Sequence, residues 1–381
     1  MVDFSLTKEQ QELVEKHRDF AQKVIIPVRE KYDLSGEYPW EVVKKAYTAG
    51  LMNAQIPKKF GGEGLSIFDA QLGSEELGAA CAGIGISIDA NMLALTPWVV
   101  AASDEQMKRF MGRLIEEKAA AAYALTEPNA GSDVAGIKTS AIKKGDKYIM
   151  NGHKRFITNG EVATYLTVFA QVDPERGARS LSCFVVPSDL PGVKIVSRLD
   201  KMGQRGSVQN EITFTDVEVP AENLLGREGE GFIIGMKTFD RTRTGVAALS
   251  VGIARSAYEI SKDWAKNRIQ FGKPVTANQA VSFMLAEMAT KVELARLMTW
   301  KAAWYYEQGF KTPGTYSAMA KYFASDVAME VTTDAVQVMG GDGYTKSFGV
   351  EKMMRDAKLC QIYEGTNQVQ RLVISKGILK K

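Results

Sequence analysis

A mainly α protein with a central β domain is what this sequence predicts. Apolar residues recur at three- and four-residue steps near the two ends, short β-rich runs fill the middle, and strands do not alternate with helices. With 381 residues, 45% of them hydrophobic, the chain can bury a large core shared by two or three cooperating domains.

Residues 1–120 read as a helical domain. Thr7 and Gln10 have the spacing of a capping box, so an amphipathic helix should follow Thr7 until Pro27 interrupts it. His17 shares a helical stripe with Leu13, Phe20 and Val24, the setting of a satisfied core histidine. PKKFGGEGLS, residues 57–66, reads as a loop. Residues 121–230 read as a β domain, with strands near Tyr165 to Val172 and Leu181 to Val186, turns at KKGDK and NG, and His153 in a turn. Residues 231–381 return to helices. There Val281, Met284, Leu285, Met288, Val292 and Ala295 form a stripe wide enough for bundle packing.

Several function classes are disfavoured at this level. Lysine plus arginine total 48 against 45 acidic residues, and no basic block concentrates the net charge of +3, so nucleic acid is not an expected partner. The N-terminal MVDFSLTKEQQELV lacks the apolar core of a secretory signal, and no segment reads as the roughly 20 apolar residues of a membrane span. Cys81, Cys183 and Cys360 are far apart, which indicates neither a disulfide framework nor a zinc site and suits reduced thiols in a cytoplasmic protein. Two histidines, His17 and His153, cannot build a multi-histidine metal centre. No GxGxxG opens a βαβ unit, so a redox cofactor would have to be held other than by a Rossmann domain.

Near the C-terminus, IYEGTNQVQRLVIS places Glu364 and Gly365 before a helix expected to start at Thr366. Glycine allows close approach of a ligand to the backbone and threonine can cap free amides. On this segment alone, a glutamate complementing a helix dipole is the simpler account. Other segments change that: YALTEPNAGSD at 123–133, RFITNG at 155–160, NRIQFGKP at 267–274, MGGDGY at 339–344 and MRDAK at 354–358. Together with IYEGTNQ, and in this order along nearly the whole chain, they resemble the acyl-CoA dehydrogenase family, most closely its short- and medium-chain branch.

The resemblance implies an N-terminal helical domain, a middle β domain and a C-terminal four-helix bundle, with FAD bound between subunits of a homotetramer. It implies that Tyr123, Leu125 and Thr126 line the flavin and that Phe156 and Thr158 cover its other side. It assigns Arg268, Phe271, Gln337 and Gly341 to the FAD pyrophosphate and adenosine across the subunit boundary, and Thr366 and Gln368 to further FAD contacts. Ser132, Asp240 and Arg243 match CoA-binding positions, where Arg243 could equally face a neighbouring acid; Tyr363 and Gly365 flank the substrate. Glu364 is implied to be the base that takes the α-proton of the thioester, while its own N–H and an FAD ribitol hydroxyl polarise the carbonyl. The β-hydrogen then leaves as hydride to the flavin, and an electron-transferring flavoprotein is the implied acceptor. Some relatives carry the acid at the position of Thr242; threonine cannot serve there, which leaves the role with Glu364.

The alternatives are an alicyclic substrate, an oxidase, and a non-catalytic nucleic-acid-binding flavoprotein of the same fold. Balanced charge and the presence of Glu364 speak against the last. Asp89, within GISIDANML, aligns with a pocket-floor stretch of medium-chain relatives. Its neighbours Ile86, Ile88, Met92 and Leu93 are apolar, so it is either a hydrogen-bonded packing residue or an acid facing the acyl group, able to act as a second base near ring carbons.

Overall fold

The structure, a computed structural model, describes residues 4–379. Helix α1 (Lys8–Phe20) opens with the expected reciprocal cap: Thr7 Oγ1 accepts from the Gln10 N–H, and Gln10 Oε1 accepts from the Thr7 N–H. A wider π turn over Ala21–Ile25 and a 3₁₀ turn over Ile26–Val28 follow, where Pro27 can offer no backbone donor. Then come α2 (Arg29–Ser35), α3 (Trp40–Thr48), the 57–66 loop, α4 (Ile67–Ala101) and α5 (Asp104–Glu116).

Helix α4 is the spine of the molecule. Leu77, Ala80, Ile84 and Ile88 pack against α1–α3, whereas Ala94, Leu95 and Trp98 belong to a second core shared with α5 and the sheet. One residue within it, Cys81, leaves helical geometry (φ −170°, ψ 110°) and marks a kink. This helix corrects the expectation that no segment reaches membrane-spanning length. By length and composition α4 does, with 72% of its most apolar stretch buried inside the protein. Its apolarity on all sides answers to protein neighbours on all sides.

The β domain comprises β1 (Ala120–Ala124), β2 (Ser140–Lys144), β3 (Lys147–Thr158), β4 (Ala163–Gln171), β5 (Leu181–Pro187), β6 (Val193–Arg198), β7 (Gln209–Pro220) and β8 (Leu224–Leu225). They form one sheet in the order β6-β7-β3-β2-β4-β5-β8, with β1 parallel to β4. His153 lies within β3 opposite Thr213 and hydrogen-bonds Glu211, not in a turn as the sequence suggested; the adjacent Asn151-Gly152 sits at a bulge inside the strand. A second register shift between Lys154 and Ile157 puts Phe156 at φ 59°. The bulge turns that ring out of the sheet while Ile157 stays in the core.

The last third contains α6 (Gly231–Asn267), the short hairpin β9 (Ile269–Gln270) and β10 (Lys273–Pro274), then α7 (Gln279–Glu307), α8 (Pro313–Met339), α9 (Gly341–Tyr344), α10 (Val350–Cys360) and α11 (Asn367–Leu379). Leu285, Met288, Val292 and Ala295 of α7 are buried as their periodicity predicts, facing α6 and α8. Helices α4 and α6 meet backbone to backbone. A Cβ on Gly252 would lie 2.1 Å from Glu75 O, and one on Gly78 would lie 2.4 Å from Leu249 O, so only glycine fits at this crossing. The bundle is thereby drawn onto the N-terminal domain.

Candidate active site

A cavity of about 1030 Å³ opens where the three regions meet, with walls from α4, the sheet, α6 and the segment linking α10 to α11. Its lining is mostly apolar with a few converging polar groups, the usual constitution of a ligand site. Glu364 is one of the acids that line it. The linking segment has left-handed backbone at two consecutive residues, Glu364 (φ 52°) and Gly365 (φ 89°). At Glu364 this conformation is costly and must be held by its surroundings. The Glu364 carbonyl accepts from Arg243 Nε (3.2 Å) and Gln370 Nε2 (3.0 Å), and the Gly365 carbonyl accepts from Gln370 Nε2 (2.7 Å) and Lys321 Nζ (2.8 Å). Thr366 accepts the Val369 N–H on its hydroxyl and caps α11, which begins one residue later than expected, at Asn367.

The Glu364 side chain is held as well. Thr242 Oγ1 donates to Glu364 Oε2 at 2.7 Å. Burial lifts the Glu364 carboxyl above the ordinary carboxylate range, and the Thr242 hydrogen bond and the charges of Arg243 and Lys321 act in the opposite direction. Arg243, whose role the sequence left open, turns toward protein acceptors: its NH1 lies 3.5 Å from Asp240 Oδ1 and its Nε reaches the Glu364 carbonyl, while part of it still lines the cavity.

Most of the sequence-assigned residues converge here. Tyr123, Leu125, Thr126, Phe156 and Thr158 line the cavity from the β domain, and Ser132 does so from the loop after β1. Asp89, Arg243, Tyr363, Gly365 and Thr366 line it too. Asp240 stands just behind Arg243. A second group lies elsewhere: Arg268, Phe271, Gln337, Gly341 and Gln368 are exposed and do not line the cavity. Part of that group is clustered, since Arg268 lies over the Trp264 ring (5.8 Å) and Trp264 Nε1 donates to Asp342 Oδ2 (3.0 Å), next to Gly341.

Sequence reasoning missed Lys321, Gln370, Gln209 and the partnership of Thr242 with Glu364. Lys321 left a readable mark: it stands between Ala318, Ala320 and Ala324 on the buried face of α8, where a lysine demands a fixed partner. It also missed the support beneath the Ser132 loop. There the buried Lys154 donates to Glu127 Oε1 (2.8 Å), and Glu127 further accepts from the Thr139 and Lys138 N–H groups.

The chain matches the acyl-CoA dehydrogenase N-terminal domain over residues 7–118, the middle domain over 122–217 and the C-terminal domain over 229–379. The protein belongs to the acyl-CoA dehydrogenase family. Cyclohex-1-ene-1-carbonyl-CoA dehydrogenase of Geobacter metallireducens is 44% identical over 375 residues, covering 98% of this chain and 99% of that one. The structure of butyryl-CoA dehydrogenase from Megasphaera elsdenii superposes with a TM-score of 0.96 at 40% identity, covering 100% of both chains. A chain solved in work on the electron transferring flavoprotein of Acidaminococcus fermentans gives a TM-score of 0.97 at 43% identity, again over 100% of both. The protein is accordingly an acyl-CoA dehydrogenase, an oxidoreductase acting on the CH–CH bond of a thioester, and the fold expected from the resemblance is the one it adopts.

Proposed function

We propose that the protein uses FAD to oxidise an acyl-CoA to the trans-2-enoyl-CoA, that Glu364 is the base, and that the electrons pass to an electron-transferring flavoprotein. The observation carrying this reading is the placement of the Glu364 carboxyl, raised by burial, in the cavity on a segment whose carbonyls are tied down by three side chains. A base poised nearer neutrality removes a weakly acidic proton more effectively than a carboxylate of ordinary pKa.

The lining suits FAD. Tyr123 Oη and Gln209 Oε1 are buried with no hydrogen-bond partner among the described residues, and Thr126 and Thr158 offer hydroxyls at the same wall. Such groups are costly unless a ligand completes them. The cavity is at the top of the ordinary ligand-site range of roughly 300–1,000 Å³, large enough for a cofactor beside a substrate. Tyr123, Leu125, Thr126, Phe156 and Thr158 would hold the ring region, with Thr366 nearby. When bound, FAD supplies the acceptor for the β-hydrogen as hydride. The chain's own part is to bind the acyl group against apolar walls, exclude water, and receive the α-proton on the Glu364 carboxylate. Thr242 keeps that carboxylate in one orientation until substrate arrives.

Arg268, Phe271, Gln337, Gly341 and Gln368 fit this reading if they serve a neighbouring subunit's cofactor, as in a homotetramer, since they face outward from their own chain. Phe271, 95% exposed at φ 51°, is a costly display for a lone monomer. The reading includes a cytoplasmic role in fatty-acid β-oxidation and Ser132, Asp240, Arg243, Tyr363 and Gly365 as the residues around the acyl-CoA.

The purified protein should be yellow, carry about one FAD per chain and run as a tetramer. Anaerobic titration with linear, branched and alicyclic acyl-CoAs should bleach the flavin with one class preferred. A colourless protein that cannot be reconstituted, or a flavin that none of the thioesters reduces, refutes the proposal.

A second reading is favoured by Asp89. It lines the same cavity as Glu364, and burial pushes its carboxyl up to about 7, with a Ser74 hydrogen bond acting against the shift. An acid of that kind beside an alicyclic acyl group could take a proton from a ring carbon remote from the thioester. The 44% identity to an alicyclic acyl-CoA dehydrogenase supports the same direction.

A further inference from the structure

We infer that Lys321 is a positioning residue for Glu364, acting from behind the cavity by clamping the Gly365 carbonyl and by placing a buried positive charge near the base. The inference rests on Glu364 being the base. Lys321 belongs to α8 and is fully buried. Its Nζ donates to Gly365 O at 2.8 Å and to Asn367 Oδ1 at 3.0 Å, both neutral acceptors. A buried ammonium held only by neutral groups is costly, and burial lowers the Lys321 pKa to about 8.

The surrounding charges show what balances it. Cys360 on α10 and then Glu364 on the linking segment favour the ammonium, Arg243 on α6 opposes it, and Asp326 on α8 itself favours it. Asp326 is engaged elsewhere, accepting from Gln361 Nε2 (2.7 Å), Asn367 Nδ2 (2.7 Å) and Arg371 NH2 (3.2 Å). Glu364 is thus the acid for which Lys321 is a counter-charge, and reciprocally Lys321 lowers the Glu364 pKa. Two functions follow from one side chain. The hydrogen bond to Gly365 holds the left-handed turn that presents the carboxylate, and the charge keeps that carboxylate ionised at a lower pH than burial alone would allow.

The two functions separate experimentally. Lys321→Gln keeps a donor without the charge, and Lys321→Met removes both. Anaerobic flavin reduction by butyryl-CoA and octanoyl-CoA is followed across the pH range with each holoenzyme. In Lys321→Gln the acid limb of the rate should move to higher pH by about half a unit or more, with the high-pH plateau falling less than in Lys321→Met. In Lys321→Met the limb should move likewise and the plateau should fall about tenfold or more, with substrate affinity changed far less. A merely structural lysine would lower the plateau without moving the limb, and unmoved limbs in both variants overturn the inference. If Lys321→Met fails to bind FAD, the limb in Lys321→Gln decides alone. Near-normal reduction by Glu364→Gln in the same assay would be a failure of the underlying assignment and is read separately.

Discussion

Replacing Glu364 by Gln removes the proposed base and leaves the shape. Thr242 Oγ1 can still donate to the amide oxygen across the 2.7 Å it now spans, and the backbone clamps from Arg243, Gln370 and Lys321 involve carbonyls that the substitution does not touch. General-base catalysis contributes about 10²–10⁴-fold, or about 3–5 kcal/mol of barrier, so flavin reduction by acyl-CoA should slow at least about a hundredfold while binding persists. Stability supplies an internal control. Because burial raises the folded-state pKa of Glu364, the native protein holds this proton more tightly than the unfolded chain does. Its contribution therefore turns unfavourable as pH rises from the ordinary carboxylate range through the raised value, and the neutral amide escapes that loss. The variant should melt at the wild-type temperature or higher at neutral pH. Stopped-flow anaerobic reduction, with a thermal melt and a binding titration on the same sample, tests both points. Reduction within a few-fold of wild type by a properly folded variant would refute the assignment of Glu364.

Three further outcomes are expected. Thr242→Val deletes the hydroxyl that stabilises the ionised Glu364, so the acid limb of flavin reduction should move to higher pH with the rate recovering at alkaline pH; an unmoved limb means the hydrogen bond has no influence on the base. Asp89→Asn should change the ranking of butyryl-, octanoyl- and cyclohexanecarboxyl-CoA and the double-bond position in the cyclic product, whereas equal effects on all three with unchanged products leave Asp89 a packing residue. Lys154→Met strands the buried Glu127 without its cation and should cost about 3–5 kcal/mol in chemical denaturation. A loss below about 1 kcal/mol would show that the Thr139 and Lys138 donors satisfy Glu127 unaided.

Local chemistry was legible without coordinates wherever one short segment contained the whole cause. The Thr7–Gln10 cap, the buried stripe from Leu285 to Ala295 and the break near Pro27 depend on neighbours a few residues away, and each is present in the structure. His153 was misplaced because a glycine inside a strand and a glycine in a turn look alike until the opposing strand β7 defines the bulge. The span-like apolarity of α4 was overlooked for a related reason: its charged residues Glu75 and Glu76 are themselves buried against Arg255, far along the chain.

The sequence by itself determined the helical, β, helical order, and several motifs spread along the chain, rather than IYEGTNQ alone, pointed to Glu364 through their family resemblance. Only the tertiary structure decided what surrounds that acid. Thr242 is 122 residues away from Glu364 in the chain, yet its hydroxyl lies 2.7 Å from the carboxylate. Lys321 is 44 residues from Gly365, whose carbonyl it holds. The pKa of a carboxyl and the strain of a left-handed residue depend on desolvation and on hydrogen bonds supplied across space, and those arise only when α6, α8 and α11 converge on the segment between them.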